Sequence, residues 1–277
     1  MKLSSEIVGQ AAGPLEHEVD ARWLMAYSAG LGEADPRYYD TARGVLAHPL
    51  FPVCYEWPVA QPLRALPALK PLFPQLLHAQ HDLVIHRPAR AGDALRVAAR
   101  IVAVTQRKPG AFVVFRFEAR DQRGDRVTTT HFGALYRGVT VEGGDRHIEP
   151  VEDPEAPTQS LAKVGEIQVA ANAAHVYTEC ARIWNPIHTD IAYARAAGLP
   201  DIILHGTATL ALSVSRILQT FNVDPARARR VQCRFAGMVL MPSVLHLHAA
   251  AEAKRLHFET RNDMGEAVIS RGALLLE

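Results

Sequence analysis

The chain has 277 residues, 48% of them hydrophobic, enough for one large core or two of ordinary domain size. Its formal net charge of +1 leaves no bulk electrostatic case for nucleic acid or an anionic membrane as partner. Cys54, Cys180 and Cys233 lie too far apart for a CxxC pair or a metal-ligand spacing and read as reduced thiols of a cytoplasmic protein. The opening MKLSSEIVGQAAGP lacks the apolar stretch of a signal peptide, and no apolar run reaches the ~20 residues of a membrane span.

After this polar opening, DARWLMAYSAGLG, from Asp20, has an acid in capping position and apolar residues near helical spacing. A proline-rich stretch follows, His48 to Pro74. Strand-like runs come next: HDLVIHRP, DALRVAARIVAVTQR and AFVVFRFEARD. The segment EGGDRHIEPVEDPEAPTQS is polar and rich in Gly, Pro and acids, and reads as a linker. Beyond it, ILHGTATLALSVSRILQTF reads as a buried helix. The strands RVQCRFAG, SVLHLHAAAEA, RLHFETRND and AVISRGALLLE follow.

The two halves share a pattern. FEARDQRGD, Phe117 to Asp125, aligns without a gap with FETRNDMGE, Phe258 to Glu266, and FGALYRG is echoed by RGALLLE. A hairpin with Gly in its turn accounts for the first match, and the added echo points to duplication. Each half then has one main helical region followed by antiparallel strands. This makes an α+β class in which a curved sheet wraps a helix, and edge-to-edge pairing of the halves would cover exposed strand edges. The divisions expected are residues 1–140, a linker over 141–160, and 161–277.

Chemistry concentrates in the second half. In ARIWNPIHTD the Asn185-Pro186 turn presents His188 at a fixed angle. Asp190 reads as the cap of a short helix that Gly198 ends. His205-Gly206 stands where the long helix begins. A helix N-terminus there offers free N–H groups to an oxygen that becomes negative during a reaction. Taken singly, each signal is as compatible with ordinary packing as with catalysis.

The ordered set Tyr177, Asn185-Pro186-Ile187-His188 and Ile203-Leu204-His205-Gly206 resembles the motif of the MaoC-like dehydratases, or R-specific enoyl-CoA hydratases. That motif reads roughly Tyr-x-x-x-Ser-Gly-Asp-x-Asn-Pro-Ile-His, followed by Ile-x-His-Gly. The match runs from Tyr177 to about Ser215. DPRYYD, HPLFP and LLHAQHDLVIHRP stand where two-domain members have a degenerate first half. The resemblance implies a double hot-dog fold, with the first half shaping an acyl pocket and the second carrying the chemistry. It implies a hydro-lyase acting on an enoyl-CoA or 3-hydroxyacyl-CoA thioester, with no cofactor and no metal. It further implies that His188 is the acid/base, that Asn185 holds the loop and that the Gly206 N–H binds the thioester oxygen. Tyr177, Ile183 and His205 would line the substrate. A homodimer fits exposed sheet edges.

One departure stands out. Aligned without gaps, the family's Ser, Gly and catalytic Asp become Ala181, Arg182 and Ile183, and isoleucine cannot carry a proton. Glu179, placed on strand parity with Tyr177, is the candidate for a relocated acid, or a solvated surface acid. Three readings stay open: a hydratase with a moved acid, another thioester reaction such as hydrolysis or isomerisation, and a non-catalytic acyl-CoA-binding subunit. Arg227, Arg229 and Arg230 form either a site for CoA phosphates or a solvated basic turn.

Overall fold

Alternation of apolar and polar residues sets most of the chain into strands, and the computed structural model describes all of residues 1–277. The first half runs β1 (Lys2–Ser4), β2 (Ala11–Val19), α1 (Ala21–Gly30), α2 (Val53–Arg64), β3 (Leu76–Ile85), β4 (Asp93–Arg107), β5 (Gly110–Arg120) and β6 (Arg126–Arg137). Two short strands, β7 (Thr140–Glu142) and β8 (Arg146–His147), begin the crossing. The second half runs β9 (Ala162–Val169), α3 (Ala173–Ala181), α4 (Ile191–Ala196), α5 (Gly206–Thr220), β10 (Ala228–Phe235), β11 (Ser243–Glu252), β12 (Arg255–Arg261) and β13 (Ala267–Leu276).

One antiparallel sheet carries both halves, in the order β2-β4-β5-β6-β3-β10-β13-β12-β11-β9, with β8 on the outer side of β4. The two halves meet where β3 pairs with β10, Val84 opposite Arg230 through Gln80 opposite Arg234. Each half wraps its own helix, α2 or α5, and one continuous core of 62 buried residues runs through both. This is the double hot dog, and the repeated FEARDQRGD and FETRNDMGE segments are its matching hairpins, β5–β6 and β12–β13.

The halves begin differently from the sequence reading. Each starts with a strand, β2 or β9, ahead of its helices. The helix after Asp20 forms, and Asp20 caps it by accepting from the Trp23 N–H at 2.7 Å, but it is not the helix that the sheet wraps. That role falls to α2, inside the proline-rich stretch. Pro58 and Pro62 each remove a helical hydrogen bond. Being four residues apart they share the outward face, and the opposite stripe of Val53, Glu56, Ala60 and Arg64 faces a cavity.

The entrance to each half repeats with a spacing of 150 residues. Tyr27 of α1 and Tyr177 of α3 meet with phenol oxygens 3.4 Å apart. Gly32 (φ +71°) corresponds to Arg182 (φ +58°), so Arg182 holds a left-handed conformation at a cost of about 1 kcal/mol. Its guanidinium lies 4.3 Å over the Trp23 ring and 3.9 Å from Asp20, contacts that offset the strain. Asp35-Pro36 and Asn185-Pro186 form the same single turn, each closed by its side chain accepting a backbone N–H two residues on.

The acidic linker is strapped to the outer face of the sheet. Glu149 pairs with Arg116 and His131, Glu152 with Arg230, and Asp153 with Arg107 and Arg234. At the seam Arg230 also grips the buried Asp82 through two bonds, Nε to Oδ1 at 2.8 Å and Nη2 to Oδ2 at 2.7 Å. Arg230→Met should destabilise the fold by about 3–5 kcal/mol in urea unfolding, because Asp82 stays buried without its partner. Adding Asp82→Asn should recover much of that loss.

His48 joins the halves from inside. Its Nδ1 accepts from the Leu50 N–H, so Nε2 carries the proton and donates to Ser215 Oγ on α5 at 3.1 Å. Burial pushes its pKa down to about 3. Below its ordinary value of about 6.5 the unfolded chain takes up a proton that the folded chain refuses, so stability falls with pH until the folded value is reached. Near pH 5 His48 alone should cost about 2 kcal/mol, and the gap between wild-type and His48→Gln unfolding curves across that range measures it.

Candidate active site

The site is built at the start of the second half's long helix. Helix α5 opens at Gly206 with no side-chain cap, and the N–H groups of Gly206, Thr207 and Ala208 have no partner. The first N–H groups of α2 differ. Val53 and Cys54 donate to Leu50 and Phe51, and Glu56 donates to Pro52, so the first two N–H groups of that helix are already engaged. A Cβ at Gly206 would meet the Phe235 ring at 3.2 Å, so the glycine keeps the helix end close to the cavity wall.

His188 ends the Asn185-Pro186 turn and, with this helix end, lines a cavity of about 880 Å³. Its Nδ1 lies 2.9 Å from the Ile203 carbonyl oxygen, which can only accept, so Nδ1 holds the proton and Nε2 keeps its lone pair. The His205 ring stacks on it at 3.7 Å between centroids. Burial brings the His188 pKa down to about 4, the Ile203 bond opposes it, and the positive charge of Arg64 adds a smaller lowering. His205 is pushed well below its ordinary value, by burial first and by His188 second. Both imidazoles are therefore neutral near pH 7.

Asn185, Ile183, His188, His205 and Gly206 all line this one cavity. Ile183 is buried, and no carboxylate is among the groups acting on His188. Tyr177 stands behind the wall, where its hydroxyl donates to Thr207 Oγ1 at 3.1 Å and steadies the first turn of α5. In the first half, Tyr38 occupies the place of His188 and is fully buried.

Several expectations are corrected. The segment carrying Glu179 is the helix α3 and not a strand, so two residues from the buried Tyr177 is nearly the opposite face. Glu179 is exposed and does not reach the cavity. Arg227 and Arg229 bind the C-terminal residue Glu277, and Arg230 is committed to Asp82 and Glu152. None of the three lines the cavity, so they do not form a CoA cradle around it. Asp190 caps α4, accepting from the N–H groups of Ala192 and Tyr193.

The sequence reading expected the first half to shape the pocket but named none of the residues that do so. Glu56, Trp57 and Arg64 come from α2, and His78 and His81 from β3. The signal was the three- and four-residue spacing of Val53, Glu56, Ala60 and Arg64, hidden by the prolines. Glu56 accepts from the Thr130 hydroxyl at 2.5 Å, and burial raises its carboxyl to about 7.

Residues 153–271 match the family model described as MaoC like domain, and residues 6–130 match the FAS1-like dehydratase domain region. The chain is 28% identical over 211 residues to the peroxisomal multifunctional enzyme type 2 of Mus musculus, an alignment covering 75% of this chain and 28% of that protein. It therefore spans only a minor part of that relative's length. It is 22% identical to the probable enoyl-CoA hydratase 2 of Dictyostelium discoideum, over 73% of this chain and 70% of the relative. In fold it superposes on a MaoC-like dehydratase from Phytophthora capsici with a TM-score of 0.85 and 19% identity, covering 98% and 96% of the two chains. A Mycobacterium tuberculosis protein described as a double hotdog fold matches with a TM-score of 0.62 and 14% identity, over 98% and 96%.

Nitrogen-detected NMR of the imidazoles should show His188 as the Nδ1–H tautomer, unprotonated until the pH approaches about 4. A midpoint near its ordinary value of about 6.5 would mean that the ring is solvated and that the described wall is wrong.

Proposed function

This chain belongs to the MaoC-like dehydratase family, and we propose that it hydrates an enoyl thioester, or dehydrates the 3-hydroxyacyl thioester, with His188 as the lone acid/base. The observation that carries the reading is the unprotonated Nε2 of His188 in one cavity with the free N–H of Gly206. Its relatives named as enoyl-CoA hydratases support the reaction class.

The step balances on one histidine. Nε2 takes a proton from water as the water oxygen bonds to C3 of the enoyl group. The C2–C3 π pair moves toward C2 and the thioester carbonyl, whose oxygen becomes negative against the Gly206 N–H. Nε2 then returns the proton to C2, so that H and OH have been added across the double bond. Asn185 holds the turn that aims the imidazole. Ile183 contributes no proton, and a missing positioned acid/base group costs about 10²–10⁴ in rate.

The test is loss of enoyl absorbance on a panel of trans-2-enoyl-CoA thioesters. His188→Ala should abolish turnover. Ile183→Asp should raise it by about 10²–10⁴, since it restores the family's second group beside the imidazole. Because His188 is neutral down to about pH 4, wild-type kcat/KM should be level between about pH 6 and pH 8 and fall only as the pH approaches 4. The lack of a carboxylate acting on His188 favours a second reading, an acyl-thioester-binding subunit. Binding without turnover on every thioester, together with gain of turnover in Ile183→Asp, would select it.

A further inference from the structure

Arg64 stands out among the polar groups of the cavity. It is the last residue of α2, and it lines the wall with its guanidinium 4.5 Å from the Trp57 ring centroid, 5.7 Å from Phe132 and 5.9 Å from Phe73. Several partly buried arginines elsewhere hold carboxylates: Arg87 grips Asp93 and Asp121, Arg116 grips Glu149, and Arg230 grips Asp82, while Arg216 and Arg271, which hold none, lie away from the cavity. Arg64 holds none. Burial alone pushes it down to about 10, with only the phenol of Tyr136 acting in the other direction.

Its position is informative. Phe132, under its guanidinium, stacks on His78 at 3.7 Å, His78 lies 4.4 Å from the Phe235 ring, and Phe235 is the ring against Gly206, so Arg64 shares one stretch of wall with the open end of α5. Glu56, the carboxyl on the same helix stripe, is two turns away, roughly 12 Å along the axis, and is engaged by Thr130. An alkyl chain packed against Arg64 would strip its remaining water and leave the charge unpaired, which is unfavourable. A carboxylate there would gain charge-assisted, two-pronged hydrogen bonds in a low-dielectric wall.

We propose that Arg64 is a carboxylate-binding subsite, and that the acyl group taken by this cavity is short and carries a carboxylate a few carbons from the thioester. The inference rests on the acyl-thioester reading above. It adds a substrate class, since a site built to pair a charge rejects the analogue that lacks one.

The test separates binding from chemistry. Short S-(ω-carboxyalkyl)-CoA thioethers, which can be neither hydrated nor hydrolysed, are titrated calorimetrically against S-alkyl-CoA thioethers of matched length. Wild type should prefer the carboxylated member of a pair by about 10- to 100-fold, the range for a hydrogen bond to a charged group. Arg64→Met should erase that preference while keeping affinity for the S-alkyl compounds, which also shows that the variant is folded. Arg64→Lys should retain part of it. Equal binding of matched pairs by wild type, or a preference that survives in Arg64→Met, overturns the subsite. If no CoA thioether of either kind binds, the acyl-thioester reading itself falls and the subsite with it. If both kinds bind but no enoyl thioester turns over, hydration falls and the binding preference still decides the role of Arg64.

Discussion

Pairing of β3 with β10 is the constraint on which the rest of the molecule depends. It turns two curved sheets into one and fixes α2 and α5 relative to each other, so that a cavity can be walled by both halves. Backbone hydrogen bonds set its register, and the Arg230–Asp82 pair marks that register in charge. A one-residue slip would send every side chain of β10 to the opposite face. Glu152 of the linker shares the same arginine, so the chain that connects the halves is tied to the seam it spans.

Given that seam, the halves could have carried two equivalent sites, and the details show why they do not. Both have the turn built on Asp35-Pro36 or Asn185-Pro186. In the first half the turn ends in a buried tyrosine and the chain enters α2 through Pro49 and Pro52, which have no N–H to offer. In the second it ends in a histidine facing a cavity, and α5 opens on three unsatisfied N–H groups. One half was left free to supply walls. The walls it supplies, on α2 and β3, are where the cavity departs most from an apolar acyl tunnel.

The sequence made the strands legible because their alternation is local: β4, from Asp93 to Arg107, coincides with the run read from the residues alone. The set of Asn185, His188, His205 and Gly206 was legible because a turn and a helix start are also local signals. The proline-rich helix was not. Pro58 and Pro62 argue against a helix at every local level, and α2 persists because tertiary burial of Val53, Tyr55, Val59 and Leu63 outweighs two lost hydrogen bonds. Glu179 failed for a related reason. Strand parity and helical periodicity point the same residue in opposite directions, and only the hydrogen-bonded turns of α3 decide between them.

The charge balance of the cavity follows from these same features. The residue after the left-handed position at 182 is isoleucine, so no carboxylate acts on His188, and the imidazole keeps only the carbonyl of Ile203 as an electrostatic aid. The helix hidden among prolines brings Arg64 to the same region with no counter-charge. A free helix N-terminus and an unpaired guanidinium both favour negative charge on what is bound between them, and neither supplies it. The negative charge that completes this wall has to arrive with the ligand.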